Sequence, residues 1–193
     1  MKQSDVNPQR KSIRLKGYDY SMSGCYFVTI VTKNRYDLFG CVVDGQMKLN
    51  DAGLMVHKVF DNMFSVCQSA ELINMVVMPN HLHCLISIMS DDSMGLSQMM
   101  RYLKSRTTVE YIHGVWEKGW PRFDGHLWQS RYYDHIVRNQ HSYDKINEYI
   151  YLNPKRWNKD KLNLKCDADA DDINMLIKNC GGGQIQEYVP TVD

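Results

Sequence analysis

The stretch Val76-Val77-Met78-Pro79-Asn80-His81-Leu82-His83-Cys84-Leu85-Ile86 decides how this chain is read. Its apolar residues alternate as they do in a strand, and His81 and His83 stand two apart within it. Successive side chains of a strand point to opposite faces, so the two imidazoles look the same way. Two neutral imidazoles side by side fill a core poorly, yet they form a ready half of a divalent metal site if a third ligand arrives from elsewhere. The alternative is a pair of hydrogen-bonded structural histidines. Pro79-Asn80 bends the chain, so the runs from Leu72 to Met78 and from His81 to Ile88 are predicted to form a β-hairpin with the histidines near its turn.

Upstream, Cys25-Tyr26-Phe27-Val28-Thr29-Ile30-Val31-Thr32 is rich in β-branched and aromatic residues and reads as a strand, with the fold proper beginning about Gly24. Cys41 to Leu49 reads as a small hairpin turning at Asp44-Gly45. Asn50 or Asp51 then caps a helix to about Val66 whose inner stripe is Leu54, Met55, Val59 and Met63. Downstream, Asp91-Asp92-Ser93 leads into a helix from about Leu96 to His113. Met99, Leu103 and Val109 face inward on it, and Arg101, Lys104 and Arg106 mainly outward, toward solvent or phosphate. Gly114 to Gly125 reads as a loop, and Tyr132 to Val137 as a strand. A last helix opens at Asn139 to Ser142 and ends at Pro154, because proline disfavours helical geometry in the residue before it.

The order strand, helix, strand, strand, helix, strand, helix implies an α+β, ferredoxin-like plan: an antiparallel sheet with helices on one face, plus an extra C-terminal helix. Residues 1–157 are read as the domain, opened by a basic arm. Residues 158–193 are read as a polar, partly ordered tail with an acidic run from Asp167 to Asp172 and a short helix near Ile173 to Asn179.

A length of 193 residues suits one domain, and a net charge of +1 with 44% hydrophobic residues excludes a histone-like polycation. The six cysteines are scattered without a Cys-x-x-Cys pair, and the residues after Met1 do not resemble a signal peptide. A reduced cytoplasmic setting with buried, free cysteines is the expectation. No apolar run reaches the length of a membrane span. A structural zinc module is a weak reading, since only two closely spaced ligands are evident.

Tyr149 and Asn153 are four apart on the last helix and so share one face, whereas Tyr151 lies about 200° round from Tyr149. If that face lies over the histidine strand, one residue completes a metal shell and the other presents a phenol oxygen beside the ion.

With these blocks in view, the chain resembles the single-tyrosine HUH transposases, and within them the REP-associated tyrosine transposases. The resemblance covers roughly residues 9 to 157. It rests on Arg14-Leu15-Lys16-Gly17-Tyr18-Asp19-Tyr20-Ser21 leading into Tyr26 to Ile30, and on Met78-Pro79-Asn80-His81-Leu82-His83. Leu127-Trp128-Gln129-Ser130-Arg131-Tyr132-Tyr133-Asp134-His135-Ile136-Val137-Arg138-Asn139 and Tyr149-Ile150-Tyr151-Leu152-Asn153-Pro154 complete it. Four blocks in the family's order are specific where His-x-His alone is weak. The resemblance implies His81, His83 and Asn153 as metal ligands and Tyr149 as the nucleophile. It also implies Mg²⁺ or Mn²⁺ as cofactor and single-stranded DNA beside a hairpin as substrate. The implied reaction is transesterification through a 5′-phosphotyrosine link, by a monomer or by a dimer that exchanges tyrosine helices. The alternative is a domesticated hairpin-binding regulator that no longer moves DNA.

Near-neutral net charge means that DNA contacts must come from local patches. Arg10, Lys11, Arg14 and Lys16 are candidates for gripping phosphates, as are Arg101, Lys104 and Arg106. His135 is a candidate for DNA contact or proton transfer, against a hydrogen-bonded structural role. Trp116, Trp120, Trp128 and Tyr132 are read as packing residues before base-stacking ones.

Overall fold

The computed structural model describes residues 23–90, 94–164 and 186–187. Arg10, Lys11, Arg14 and Lys16, the Asp91-Asp92-Ser93 lead, the acidic run and the helix expected near Ile173 to Asn179 lie outside the described residues.

Elements follow in the order β1 (Gly24–Val31), β2 (Gly40–Val43), β3 (Gln46–Leu49), α1 (Asp51–Val66), β4 (Ala70–Val77), β5 (His81–Ile88), α2 (Leu96–Lys118), β6 (Tyr133–Val137), α3 (Gln140–Leu152) and a two-residue β7 (Gln186–Glu187). The main sheet has strand order β4-β5-β1-β6 with every neighbouring pair antiparallel. With the β2-β3 hairpin set aside as a separate small sheet joined by β7, this is the ferredoxin-like arrangement expected from the element order.

The two faces of that sheet are built from alternate residues of the same strands. Tyr26, Val28 and Ile30 of β1 and Leu82, Cys84, Ile86 and Ile88 of β5 pack against Val56 and Phe60 of α1 and Met99 and Leu103 of α2. The intervening Phe27, Val76 and Leu85 face α3, where Ile150 and, just beyond the helix, Trp157 close a smaller cluster. α1 and α2 therefore share one face, and α3 has the other. A bulge in β4 between Leu72 and Asn74 shifts its register against β5.

Local signals placed most boundaries. Asn50 caps α1 by accepting from the Gly53 amide at 2.9 Å, a bond worth about 1 kcal/mol. Asn139 caps α3 in the same way on Ser142. Asp44 and Gly45 both have positive φ, as the tight β2-β3 turn requires.

Three expectations are corrected. The buried stripe of α1 is Ala52, Val56, Phe60 and Met63, with Leu54, Met55 and Val59 only half-buried beside it. α2 continues through Gly114 to Lys118. Gly119 ends it in the left-handed conformation, and the Trp120 amide reaches back to the Gly114 carbonyl. Gly114 is required there because a Cβ would lie 2.1 Å from the Trp120 ring. Val109, expected inside, is exposed on the outer side of α2. Of the cysteines among the described residues, Cys84 is buried while Cys25, Cys41 and Cys67 are half-buried, and none of the four is in a disulfide. No helix among the described residues is long and apolar enough to cross a membrane.

Candidate metal and tyrosine site

β5 starts directly after the Pro79-Asn80 turn, and its first and third side chains, His81 and His83, emerge on the α3 face. Both are buried. Register places Thr29 of β1 directly opposite His83, and its hydroxyl lies 2.7 Å from Nδ1 of that ring. Phe27 stacks on the same imidazole with ring centroids 5.3 Å apart. The His83 ring is thereby held from two sides, with Nε2 left facing α3.

His81 is fixed by its neighbour. Nδ1 lies 2.9 Å from Oδ1 of Asn80. Nδ2 of Asn80 donates to the carbonyls of Arg35 and Leu162, at 3.2 and 2.9 Å. Carbonyls only accept, so the amide's NH₂ must point at them and its oxygen at His81. Nδ1 of His81 then carries the proton, and Nε2 carries the lone pair. The loop that supplies the Arg35 carbonyl is strained, with Asn34 and Arg35 both at positive φ. Such backbone persists only where its surroundings enforce it.

α3 runs over this strand pair. Tyr149 reaches Nε2 of His83 with its hydroxyl at 3.4 Å, and its ring meets Phe27 edge-on. Asn153, one turn later and closing the helix, is buried. Nε2 of His81 and Oδ1 of Asn153 are buried without a hydrogen-bond partner. Leaving such an atom unsatisfied costs about 1–3 kcal/mol. An electron-pair acceptor placed among them would satisfy both. Imidazole nitrogen with amide oxygen is a donor set that takes divalent first-row ions, so these residues fit a bound cation.

Sequence reasoning missed a further group. Asp160 follows a short 3-10 turn, Pro154–Lys159, and brings Oδ2 to 3.9 Å from Nε2 of His81. His81, His83 and Asp160 each offer a ligand atom, and those atoms lie within 4.8 Å of one another. Trp157, from the same turn, packs beside His81 with centroids 5.8 Å apart. Nothing in a polar run after a helix-ending proline marks Asp160 in advance; only the return of the chain over β5 does.

The electrostatics follow from burial. Desolvation pulls the His81 imidazole down to about 4, against the smaller opposing pull of Asp160 and Asn153. His83 is held well below its ordinary value by burial and by its neighbour His81. Both rings are thus neutral, ligating bases at physiological pH. Tyr149 is raised above the usual phenol value, first by burial and then by Asp160, with Asn153 and Arg156 pulling the other way.

The remaining candidates lie apart from this centre. Arg101, Lys104 and Arg106 ride on α2, across the sheet from the histidines. Lys104 is half-buried and donates to the carbonyls of Gln129 and Ser130, while Arg106 pairs with Glu110 at 2.6 Å. His135 is exposed on edge strand β6, in register with Phe27 and hence on the site's face. Trp128 is buried and bonds Thr107, Trp120 covers Gly114 and Tyr132 packs at the core's edge, whereas Trp116 is 83% exposed.

Comparison with known proteins gives a consistent result. The family model for IS200-like transposases matches residues 21–153. An uncharacterised protein of Haemophilus influenzae is 36% identical over 166 residues, covering 79% of this chain and 92% of its own. A REP-associated tyrosine transposase of Escherichia coli is 30% identical over 79 residues, 41% of each chain. The solved structure of a REP-associated tyrosine transposase bound to a REP hairpin superposes with a TM-score of 0.53 at 22% identity, over 76% of this chain and 74% of that one.

Proposed function

The chain belongs to the IS200-like transposase family, and from that premise we propose that it is a metal-dependent single-stranded DNA endonuclease and strand transferase with Tyr149 as its nucleophile. One observation carries this reading: the Tyr149 hydroxyl lies 3.4 Å from a buried imidazole, with the orphaned acceptors of His81 and Asn153 beside it. A core has no use for that cluster. His81, His83 and Asn153 would hold the ion, Mg²⁺ or Mn²⁺. Bound there, the ion would polarise the scissile phosphate and offset the charge that develops on its oxygens.

The chain's own groups supply the rest. α3 presents the Tyr149 oxygen, and the charge of Arg156 favours its phenolate. The tyrosine oxygen attacks a backbone phosphorus as its proton leaves. The P–O3′ bond breaks, and the departing oxygen takes up a proton to become a 3′-hydroxyl. The 5′-phosphate stays on tyrosine, so phosphodiester energy is kept and a later 3′-hydroxyl can reverse the step without ATP. The neighbour bound to a REP hairpin motivates a hairpin beside the cleaved strand as substrate.

The test is incubation with labelled single-stranded DNA carrying a repeat hairpin, in Mn²⁺ or EDTA, beside Tyr149→Phe. A covalent protein–DNA adduct that needs Mn²⁺ and disappears in the variant is the expected result. Tight hairpin binding without adduct under any metal would instead leave a hairpin-binding regulator as the better reading.

A further inference from the structure

The turn after α3 is built to deliver one carboxylate. Its backbone is tied at every step: Arg156 N–H to the Asn153 carbonyl, Asp160 N–H to that of Trp157, and Asn163 N–H to that of Asp160. The Asn163 side chain donates back to the Trp157 carbonyl at 3.1 Å. Two groups from the far side pin the same turn, Asn80 on the Leu162 carbonyl and Arg35 on that of Lys161. Asp160 itself is anchored through one oxygen, since the Leu162 amide donates to Oδ1 at 2.7 Å. Oδ2 lies 3.9 Å from Nε2 of His81.

What Oδ2 meets there is chemically odd. The Asn80 amide puts the proton of His81 on Nδ1, so Nε2 faces the carboxylate with a lone pair. Nε2 of His81 and Oδ1 of Asn153 are both buried without a hydrogen-bond partner. An imidazole lone pair, a carboxylate oxygen and an amide oxygen together form a donor set for a divalent cation. With 3.9 Å between Nε2 and Oδ2, and the ligand atoms of His81, His83 and Asp160 all within 4.8 Å of one another, the three groups are within reach of one ion.

We propose that Asp160 is a ligand of the same cation, so that the site is two imidazoles, one amide and one carboxylate, and that ion binding fastens the turn after α3 onto β5. This rests on the metal site proposed above and adds an anionic donor outside the histidine and tyrosine-helix blocks. A hard, charged oxygen tightens a site otherwise made of neutral donors and biases it toward Mn²⁺ and Mg²⁺ over softer ions. It also links metal to folding, because ligands from β5, the end of α3 and the following turn are drawn together.

The experiment is calorimetric titration of MnCl₂ into the EDTA-stripped full chain, for wild type, Asp160→Asn and His81→Ala, with melting in EDTA as the folding control. Asp160→Asn keeps an oxygen for the Leu162 amide, so its melting temperature in EDTA should match wild type. Its Mn²⁺ affinity should fall about 10–100-fold or more, the loss seen when even a supporting group of a metal site is removed. The rise in melting temperature that Mn²⁺ gives wild type should shrink with it. Affinity within twofold of wild type, while His81→Ala loses binding, overturns the role of Asp160 and leaves the histidine site standing. Equal binding by wild type and His81→Ala overturns both. An infrared difference spectrum of wild type reads the contact without any variant: carboxylate stretches that do not move when Mn²⁺ is added also overturn the proposal.

Discussion

The two faces of the central sheet use the same strands for opposite purposes. Toward α1 and α2, β5 turns Leu82, Cys84, Ile86 and Ile88, all fully buried and all apolar. Toward α3, the same strand turns His81 and His83, equally buried, whose neighbours include acceptors with no donor. The first face gains stability from burial, and the second gives some up. A strand that alternates apolar and titratable residues can therefore supply a scaffold and a reactive centre one Cα apart, each rigid because the other is.

The largest expected effect breaks the reactive face and spares the scaffold. His81→Ala should cut the rate of covalent adduct formation by at least about 10²–10³-fold, the scale on which a single electrostatic stabiliser acts. Its melting temperature in EDTA should fall less than that of an apolar core truncation, because the lost ring had a buried nitrogen without a partner that offsets part of the lost packing and of the Asn80 bond. A parallel collapse of melting temperature would mean that the histidine face is structural after all. The converse variant, Ile86→Ala, lies on the same strand with its side chain on the other face. It should cost about 2–5 kcal/mol in urea unfolding, as core truncations do, while leaving Mn²⁺ affinity of the folded protein unchanged.

How far this contrast could be read in advance depends on range. Alternation in β1 and β5, the Asn50 and Asn139 caps, the Asp44-Gly45 turn and the Pro154 stop are local, and they located every element of the main sheet. The expected inner stripe of α1 was set about one residue off, because half-buried and buried positions of an amphipathic helix are adjacent and only tertiary packing ranks them. Gly114 reads locally as a breaker, yet α2 runs through it because Trp120 folds back and needs the missing Cβ. At the site, the His81 and His83 pair and the spacing of Tyr149 and Asn153 are visible in sequence. Thr29 and Asp160, which orient or complete it, are long-range partners: Thr29 meets His83 through strand register and Asp160 meets His81 through a returning turn, while Asn80 adjoins His81 but is turned toward it by the distant Arg35 and Leu162 carbonyls.

Acid should sharpen the contrast next. Burial depresses both imidazoles, His81 to about 4 and His83 well below its ordinary value, while in the unfolded chain each titrates near 6.5. Below about 6.5 the unfolded state binds protons that the native state refuses, so stability rises with pH across this window and is lost as pH falls from about 6.5 toward 4. For His81 the loss should be on the order of 3 kcal/mol in the metal-stripped protein. Urea unfolding at pH 7 and pH 4.5 measures it, and His81→Ala should flatten the slope. An unchanged slope in that variant would place the acid sensitivity elsewhere.

The smallest expected effect on stability is the most informative, because it tests whether the α3 face is kept for chemistry against the interest of the fold. Asn153 is buried with its Oδ1 unpartnered. Asn153→Leu replaces that amide with an apolar group of similar size. Where a buried acceptor has no donor, its removal recovers about the 1–3 kcal/mol that desolvating it cost, less whatever the lost NH₂ group contributed. The EDTA-treated variant should therefore be as stable as wild type or slightly more so, while adduct formation falls sharply because the proposed ion loses an oxygen ligand. Clear destabilisation in EDTA would show that Asn153 is chiefly a helix-closing residue, held by bonds of its own. Equal or greater stability together with lost activity separates the two demands: this position is then tuned to a cation, and the fold tolerates the cost because the opposite face of the sheet carries enough apolar burial to bear it.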